Sequence, residues 1–498
     1  MTAPPRDATA APAATAVPAL ALRALFLALF ALFLASAATR RLNFDESAAL
    51  RFGWLLAERV PSSPPFATPA TLLLGALARN VADPATAFLA ARILAVGAAA
   101  GAGFLALRLS AAPPGEALLA ASLTLLNVSF FVHGLEFRYD AALLAGLLAA
   151  YGLLVRARNV DLVLLGAVLA WLAVHHVKGA FFAAGVYAFA LARTGADRTR
   201  LLRLHAGLAG GLAAWGLAVT ALGDWRPVLD FYAFWTDVVA HEGPRDSRSL
   251  VEALRRDGAF WLVTAAAGAW VFLGLGRPRL RDLRTSRVFW AAAFAILTLG
   301  FTLVHPHPWP YMLTPAAPFA AVIVAHAAGA LRRRSPALVV AAALGGAALQ
   351  PLVSSDGIVH AVVTSLESSR RPQERVLEML GALARPGERV LDPSGLAYFL
   401  RPCGAEWYVD GVLRARVRNG LWMTGVTPDS LGACAWTLET QRLRMLPDAT
   451  FRAVEDRYRI VAGGLGLDRD DPRIPELERL ARAGPHDRFG RFEVKSFW

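Results

Sequence analysis

Apolar residues gather in long runs separated by short polar connections, and the repeat this sets up is that of membrane spans. The runs fall at 19–37, 85–107, 117–132, 139–155, 160–174, 177–191, 204–222, 259–275, 288–304, 311–331 and 337–352, which predicts about eleven helical spans. Several are shorter than the roughly 20 residues that cross about 30 Å of hydrocarbon. The first is long and ends in Thr39-Arg40-Arg41 instead of a small-residue cleavage site, so it reads as a retained helix and not a signal peptide. Before it, residues 1–18 are rich in Ala, Pro and Thr and read as disordered.

The connections alternate in charge. Arg156 and Arg158, Arg193 to Arg203, Arg277 to Arg287 and Arg332 to Arg334 mark one side, which the positive-inside rule makes cytoplasmic. Those near His133 and from His305 to Pro310 carry almost no Lys or Arg and face out. With eleven spans the N-terminus is cytoplasmic, and the outer side holds the loop 39–84, the loop 223–258 and everything after about Pro351. In the first outer loop, 47–58 and 68–80 have mixed apolar and polar faces, with Ser47 and Thr68 as N-caps, and read as interfacial helices. The domains expected are therefore a membrane domain over 19–352 and a soluble extracytoplasmic α/β domain over 353–498. In the latter, 372–383 reads as a helix, 389–392, 458–462 and 491–497 as strands, and 395–400 as the start of another helix.

Composition agrees: 56% of the 498 residues are hydrophobic, and the mean hydropathy of +0.44 excludes an ordinary soluble enzyme. The net charge of +13 is carried by short clusters between apolar runs, where it sets topology, and does not form a face for nucleic acid. Cys403 and Cys434 follow the last run. Outside the cytoplasm they would close a loop of about 30 residues, worth roughly 3 kcal/mol; as two thiols they would do nothing, and spacing alone leaves both open.

Chemistry is expected where ionisable groups stand at span ends. Asp45 and Glu46 follow the first span, either as catalytic carboxylates or as an acidic start to a helix. Glu136, Arg138 and Asp140 stand at the outer start of the fourth span, where Arg138 would grip a lipid phosphate or pair with its neighbours. Lys178, after His175 and His176, is a point charge for phosphate or a snorkelling interface marker. His305, His307 and Tyr311 make a fourth cluster. The histidines leave a divalent metal ion open, but no zinc-type spacing such as HExxH backs it; no residue is assigned as a metal ligand and no cofactor is certain. The sequon at Asn127 falls inside a span. Walker loops, nucleophile elbows and Rossmann glycine patterns are absent.

Taken in order, these clusters resemble the GT-C superfamily of integral-membrane glycosyltransferases, in the branch of the protein O-mannosyltransferases and the lipid A aminoarabinose transferase. The likeness rests on Asp45-Glu46, on Ser63-Pro64-Pro65-Phe66, on Arg92 opening the second span, on Arg138-Tyr139-Asp140, on Lys178-Gly179, and on Tyr311 with Pro315 and Pro318. Where relatives carry Arg or Lys before the Tyr, this chain has His305 and His307. The resemblance implies a multi-pass protein of a bacterial inner membrane, among membrane lipids. It would transfer a sugar from a polyprenyl-phosphate donor to a lipid, glycan or protein hydroxyl on the outer face, with inversion. It implies Asp45 as general base, Glu46 beside it, and Arg138, Lys178, Arg92 and Tyr311 at the donor phosphate. The alternatives are a glycan ligase using a pyrophosphate-lipid donor, a transporter, which the missing midplane charges and repeats disfavour, and a non-catalytic scaffold.

Overall fold

The computed structural model describes residues 13–60, 68–222, 225, 228–229, 232–233, 248–274, 280–305, 310–334, 363, 370–392, 394–403, 428–439, 443, 448–461 and 464–482. The expected span at 337–352, the strand at 491–497, Ser63 to Phe66 and His307 lie outside them. The helices are α1 (Ala13–Thr39), α2 (Phe44–Ala57), α3 (Pro69–Asn80), α4 (Pro84–Leu109), α5 (Pro114–Leu126), α6 (Val128–His133), α7 (Tyr139–Arg156), α8 (Asn159–His175), α9 (Val177–Thr194) and α10 (Arg198–Leu222). They continue with α11 (Arg248–Arg256), α12 (Gly258–Gly274), α13 (Leu280–Thr285), α14 (Arg287–Val304) and α15 (Ala317–Arg334), then α16 (Arg371–Leu383), α17 (Asp448–Arg457) and α18 (Ile474–Arg482). Among the described residues, 5 helices are long and apolar enough to cross a membrane, and α5, α8, α12 and α15 are shorter apolar ones.

Helix α7 is the axis of the bundle: 61% of its apolar window is buried, against 17% for α10. Its Tyr151 packs edge-on against Phe294 and Phe319 and donates to the carbonyl of Arg287. Helices α8 and α10 cross where glycines meet: a Cβ on Gly166 would lie 2.1 Å from the Leu204 carbonyl oxygen, and one on Gly207 1.8 Å from that of Val163. Such contact maximises dispersion where hydrophobic collapse cannot act. Outward, α4 shows Ile93, Leu94 and Phe104 and α12 shows Leu262 and Leu273, a surface suited to acyl chains.

The first helix is described from Ala13. Three local expectations are corrected. The span at 117–132 breaks at Asn127, whose side chain accepts from Phe130 N and caps α6. Tyr311 sits in a 3-10 turn, Pro310–Leu313, before α15 begins at Ala317. Residues 395–400 form turns and no helix.

Helices α2 and α3 pack against each other through Gly53 and Gly75, where an added Cβ would come within 2.7 Å of backbone. Thr68 caps α3 in a reciprocal box with Thr71, as expected. The cap of α2 is not Ser47 but Asn43: its Oδ1 accepts from Glu46 N at 2.9 Å, and Glu46 Oε2 accepts from Asn43 N at 3.0 Å. An acid three residues after Asn43 makes that box, and Ser47 has none at its N3 position.

After the membrane helices, strands β1 (Arg389–Leu391), β2 (Arg401–Pro402), β3 (Trp436–Leu438), β4 (Tyr458–Ile460) and β5 (Leu465–Asp468) form one sheet in the order β2-β1-β3-β5-β4. The pairs β1/β2 and β1/β3 are parallel, whereas β3/β5 and β4/β5 are antiparallel. Cys403 and Cys434 form a disulfide that ties the end of β2 to the start of β3. The domain is not a loose appendage. One buried apolar cluster runs from Leu42, Leu50 and Phe88 into Leu380, Tyr398 and Trp436, and Gln373 holds Leu42 by both backbone groups.

Candidate active site

The carboxylates of Asp45 and Glu46 point in different directions. Glu46 and Arg92 are both fully buried. All five N–H groups of Arg92 are used: two on Glu46, at 2.7 and 2.6 Å, and three on the carbonyls of Ala37, Arg40 and Arg41. Arg92 thus fastens the α1–α2 corner to α4, with its N–H groups held within the chain. Glu46 accepts from Arg92 and from the Asn43 amide that caps α2.

Asp45, one position earlier, turns the other way. Its Oδ2 lies 2.6 Å from Arg138 Nη2, and its side chain is 21% exposed. Arg138 precedes α7 in extended backbone, a position that projects the guanidinium across the helix ends. Its Nη1 reaches Glu136 at 3.3 Å and its Nε stands 3.8 Å from Asp140, beyond hydrogen-bond length. The Arg138 guanidinium lies 3.7 Å from the centre of the Tyr311 ring, and Lys178 Nζ lies 4.7 Å from the same centre. Lys178 Nζ is also 3.4 Å from the Tyr311 hydroxyl and 3.4 Å from Asp140 Oδ1. Asp45, Arg138, Asp140, Lys178 and Tyr311, from four separate stretches of chain, therefore meet at one end of the bundle. The aromatic face between two cations lowers their mutual repulsion, since its quadrupole is negative there.

Behind this group stands a buried layer around Glu136, of which the sequence singled out Glu136 alone. Glu136, 1% exposed, takes Arg40 at 3.2 Å and His133 at 3.3 Å as well as Arg138. Burial pushes its carboxyl up, but His133, Arg40 and Arg138 together outweigh that and hold it below the ordinary carboxylate range. Asp257, between α11 and α12, accepts from Val128 N at 2.7 Å and from Ser129 N at 3.1 Å, pinning the start of α6. Thr314, just past Tyr311, donates to the Ser129 carbonyl. No spacing rule flags Arg40 or Asp257, whose partners lie far along the chain; His133 pairs locally, three residues before Glu136.

His305 caps the end of α14, its ring 5.5 Å from that of Phe301. Among the described residues no three His, Cys, Asp or Glu side chains are grouped to hold a metal ion. The arginine-rich connections collect at the opposite end of the bundle. There Arg193 and Arg200 donate to the carbonyls of Leu154, Val155 and Ala157, and Arg287 to Ala111 and Glu116.

No family model matches the sequence, and no curated protein is similar to it. Solved structures are similar. The crystal structure of ArnT from Cupriavidus metallidurans in the apo state gives a TM-score of 0.58 at 14% identity, over 94% of this chain and 99% of that one. The crystal structure of the same protein bound to undecaprenyl phosphate gives 0.52 at 14% identity, over 80% of this chain and 87% of that one. This chain has the fold of these ArnT structures.

Proposed function

We propose that the chain is a GT-C glycosyltransferase that moves a sugar from a polyprenyl-phosphate donor to an acceptor hydroxyl on the outer face of a bacterial inner membrane. The observation that carries this reading is the meeting of one partly exposed carboxylate, Asp45, with two cations, Arg138 and Lys178, around Tyr311. The fold supports it too: the ArnT crystal structure of similar architecture holds undecaprenyl phosphate. The arginine-rich connections at the far end support a cytoplasmic position for that end and an outer one for the Asp45 end.

In this mechanism the acceptor oxygen attacks the anomeric carbon as Asp45 takes its proton. The bond from that carbon to the phosphate oxygen breaks, its electrons stay on the phosphate, and configuration inverts. Phosphate is a good leaving group, so a strong general acid is not required. Arg138 and Lys178 stabilise the charge that builds on it, which is where fixed cations lower a barrier most. Without donor, Asp45 and Asp140 neutralise these cations. A phosphate entering between them takes over that charge and frees Asp45 for the acceptor. Arg92 and Glu46 hold the corner from which Asp45 projects.

Asp45→Asn is expected to lower transfer from undecaprenyl-phosphate sugars by about 10²- to 10⁴-fold, the usual worth of a general base, with the fold intact. Wild-type turnover in that variant removes Asp45 from the reaction. Supplying an undecaprenyl-pyrophosphate glycan in parallel tests the ligase alternative, since turnover of that donor alone would replace the reading.

A further inference from the structure

Helix α2 divides its sides among different tasks. Asp45 faces Arg138, Glu46 faces Arg92 and Gly53 faces α3. Ser47 and Arg51, one turn apart on a further side, face the α/β domain. Ser47 Oγ donates to the Ser394 carbonyl at 2.6 Å. Arg51, with no exposed surface, directs Nη1 to the carbonyls of Ala397, at 2.7 Å, and Leu400.

The receiving turn is built to be stiff. Asp392, 3% exposed, accepts from Ser394 N at 2.9 Å and Ala397 N at 2.7 Å. Gly395 has φ of +73°, and a Cβ there would stand 3.1 Å from the Ser47 carbonyl oxygen, so the turn and α2 touch backbone to backbone. The next residues are β2 and then Cys403, whose disulfide joins β3. A rigid path therefore leads from the sheet through the turn into the helix that carries Asp45.

Resting on the function proposed above, we infer that Arg51 and Ser47 are positioning residues for Asp45, so that the α/β domain is part of the catalytic apparatus. Turning α2 by about 20° would carry a side-chain tip about 2 Å, given a helix radius of about 5–6 Å with side chains. A misplacement of about 1 Å can cost on the order of 10²-fold in rate. Burying a guanidinium against carbonyl groups is expensive if domain attachment is its only purpose, because apolar contacts along the same seam already supply attachment.

The test uses the full chain in proteoliposomes, with undecaprenyl phosphate as the binding probe and its mannose and aminoarabinose derivatives as donors. Arg51→Gln is expected to lower kcat tenfold or more, and the milder Ser47→Ala about threefold, with undecaprenyl phosphate affinity within twofold of wild type. In an Asp45→Asn background neither change should lower the residual rate further. A readout free of substrate is the cross-linking of Asp45→Cys to Arg138→Cys by a short bismaleimide, whose yield should drop severalfold when Arg51→Gln or Gly395→Ala is added. Unchanged turnover in Arg51→Gln and Ser47→Ala, or an undiminished cross-link, overturns the inference, as does the same fold-loss in the Asp45→Asn background. Full activity of Asp45→Asn itself would instead overturn the proposed function.

Discussion

Arg92 and Arg138 differ in what surrounds their N–H groups. Arg92 is saturated by one carboxylate and three carbonyls. Arg138 meets Asp45, Glu136 and Asp140 at 2.6, 3.3 and 3.8 Å, and its contacts loosen in that order. Removing the fork at Arg92 leaves Glu46 charged and unpaired in the interior, so Arg92→Leu is expected to cost roughly 3–5 kcal/mol, read as lost thermal stability in detergent. Arg138→Lys keeps one charge and should leave the melting temperature near wild type while weakening undecaprenyl phosphate binding, because an ammonium cannot fork. The sequence could not separate the two arginines. Each follows an apolar or helix-start residue, and what distinguishes them is a partner far along the chain: Glu46 for one, Tyr311 for the other. Asp45 and Glu46 were legible only as a pair, since helical geometry turns adjacent residues about 100° apart and the sequence alone does not say which one faces the cations.

At the level of elements, hydropathy located the bundle well because each span buries its own backbone bonds and must be apolar along its length. It failed where side chains interrupt that rule. Asn127 and Asp257 cut one span into α5 and α6 by capping backbone inside an apolar stretch, and hydropathy averages over such caps. Asp257→Ala strips the start of α6 of two acceptor contacts, one at 2.7 Å and one at 3.1 Å. It should cost about 1–3 kcal/mol for each buried amide left unsatisfied, measurable by denaturant melts of the purified protein. The α8–α10 crossing gives a second check: Gly207→Leu cannot be accommodated at a 1.8 Å approach to Val163 and is expected to separate the helices and abolish stable expression. In the α/β domain, the expected helix at 395–400 was a misreading of apolar content. Leu396, Ala397 and Tyr398 are buried against the membrane domain and not along a helix face.

On the scale of the molecule, the domain beyond the membrane has its own acid sensitivity. Arg473 binds Glu388 and Asp471, each at 2.7 Å, with all three side chains mostly buried. The Arg473 hydrogen bonds hold the Asp471 carboxyl below its ordinary value. Burial raises that of Glu388, but Arg473, the Arg385 amide and the Trp436 indole outweigh it, and it too is held low. A carboxyl depressed by folding stabilises the native state above its unfolded pKa of about 4 and gives that stability up as pH falls through its folded value. Stability of the domain should be flat from neutral pH to about 5 and fall below about 4, and Arg473→Gln should flatten that fall; pH-resolved melts followed by Trp436 fluorescence would show it.

The buried pair of Arg40 and Glu136 has a consequence for biogenesis. In the orientation proposed here, the first helix must carry Arg40 across the bilayer against the preference of the translocon for retaining basic flanks. The acid that neutralises it emerges 96 residues later. A nascent chain that ends before Glu136 is expected to hold its first hairpin in mixed or inverted orientation, and one extended through α7 to hold a single orientation. In that orientation the early topology is provisional, and is settled retroactively by a residue two membrane crossings downstream.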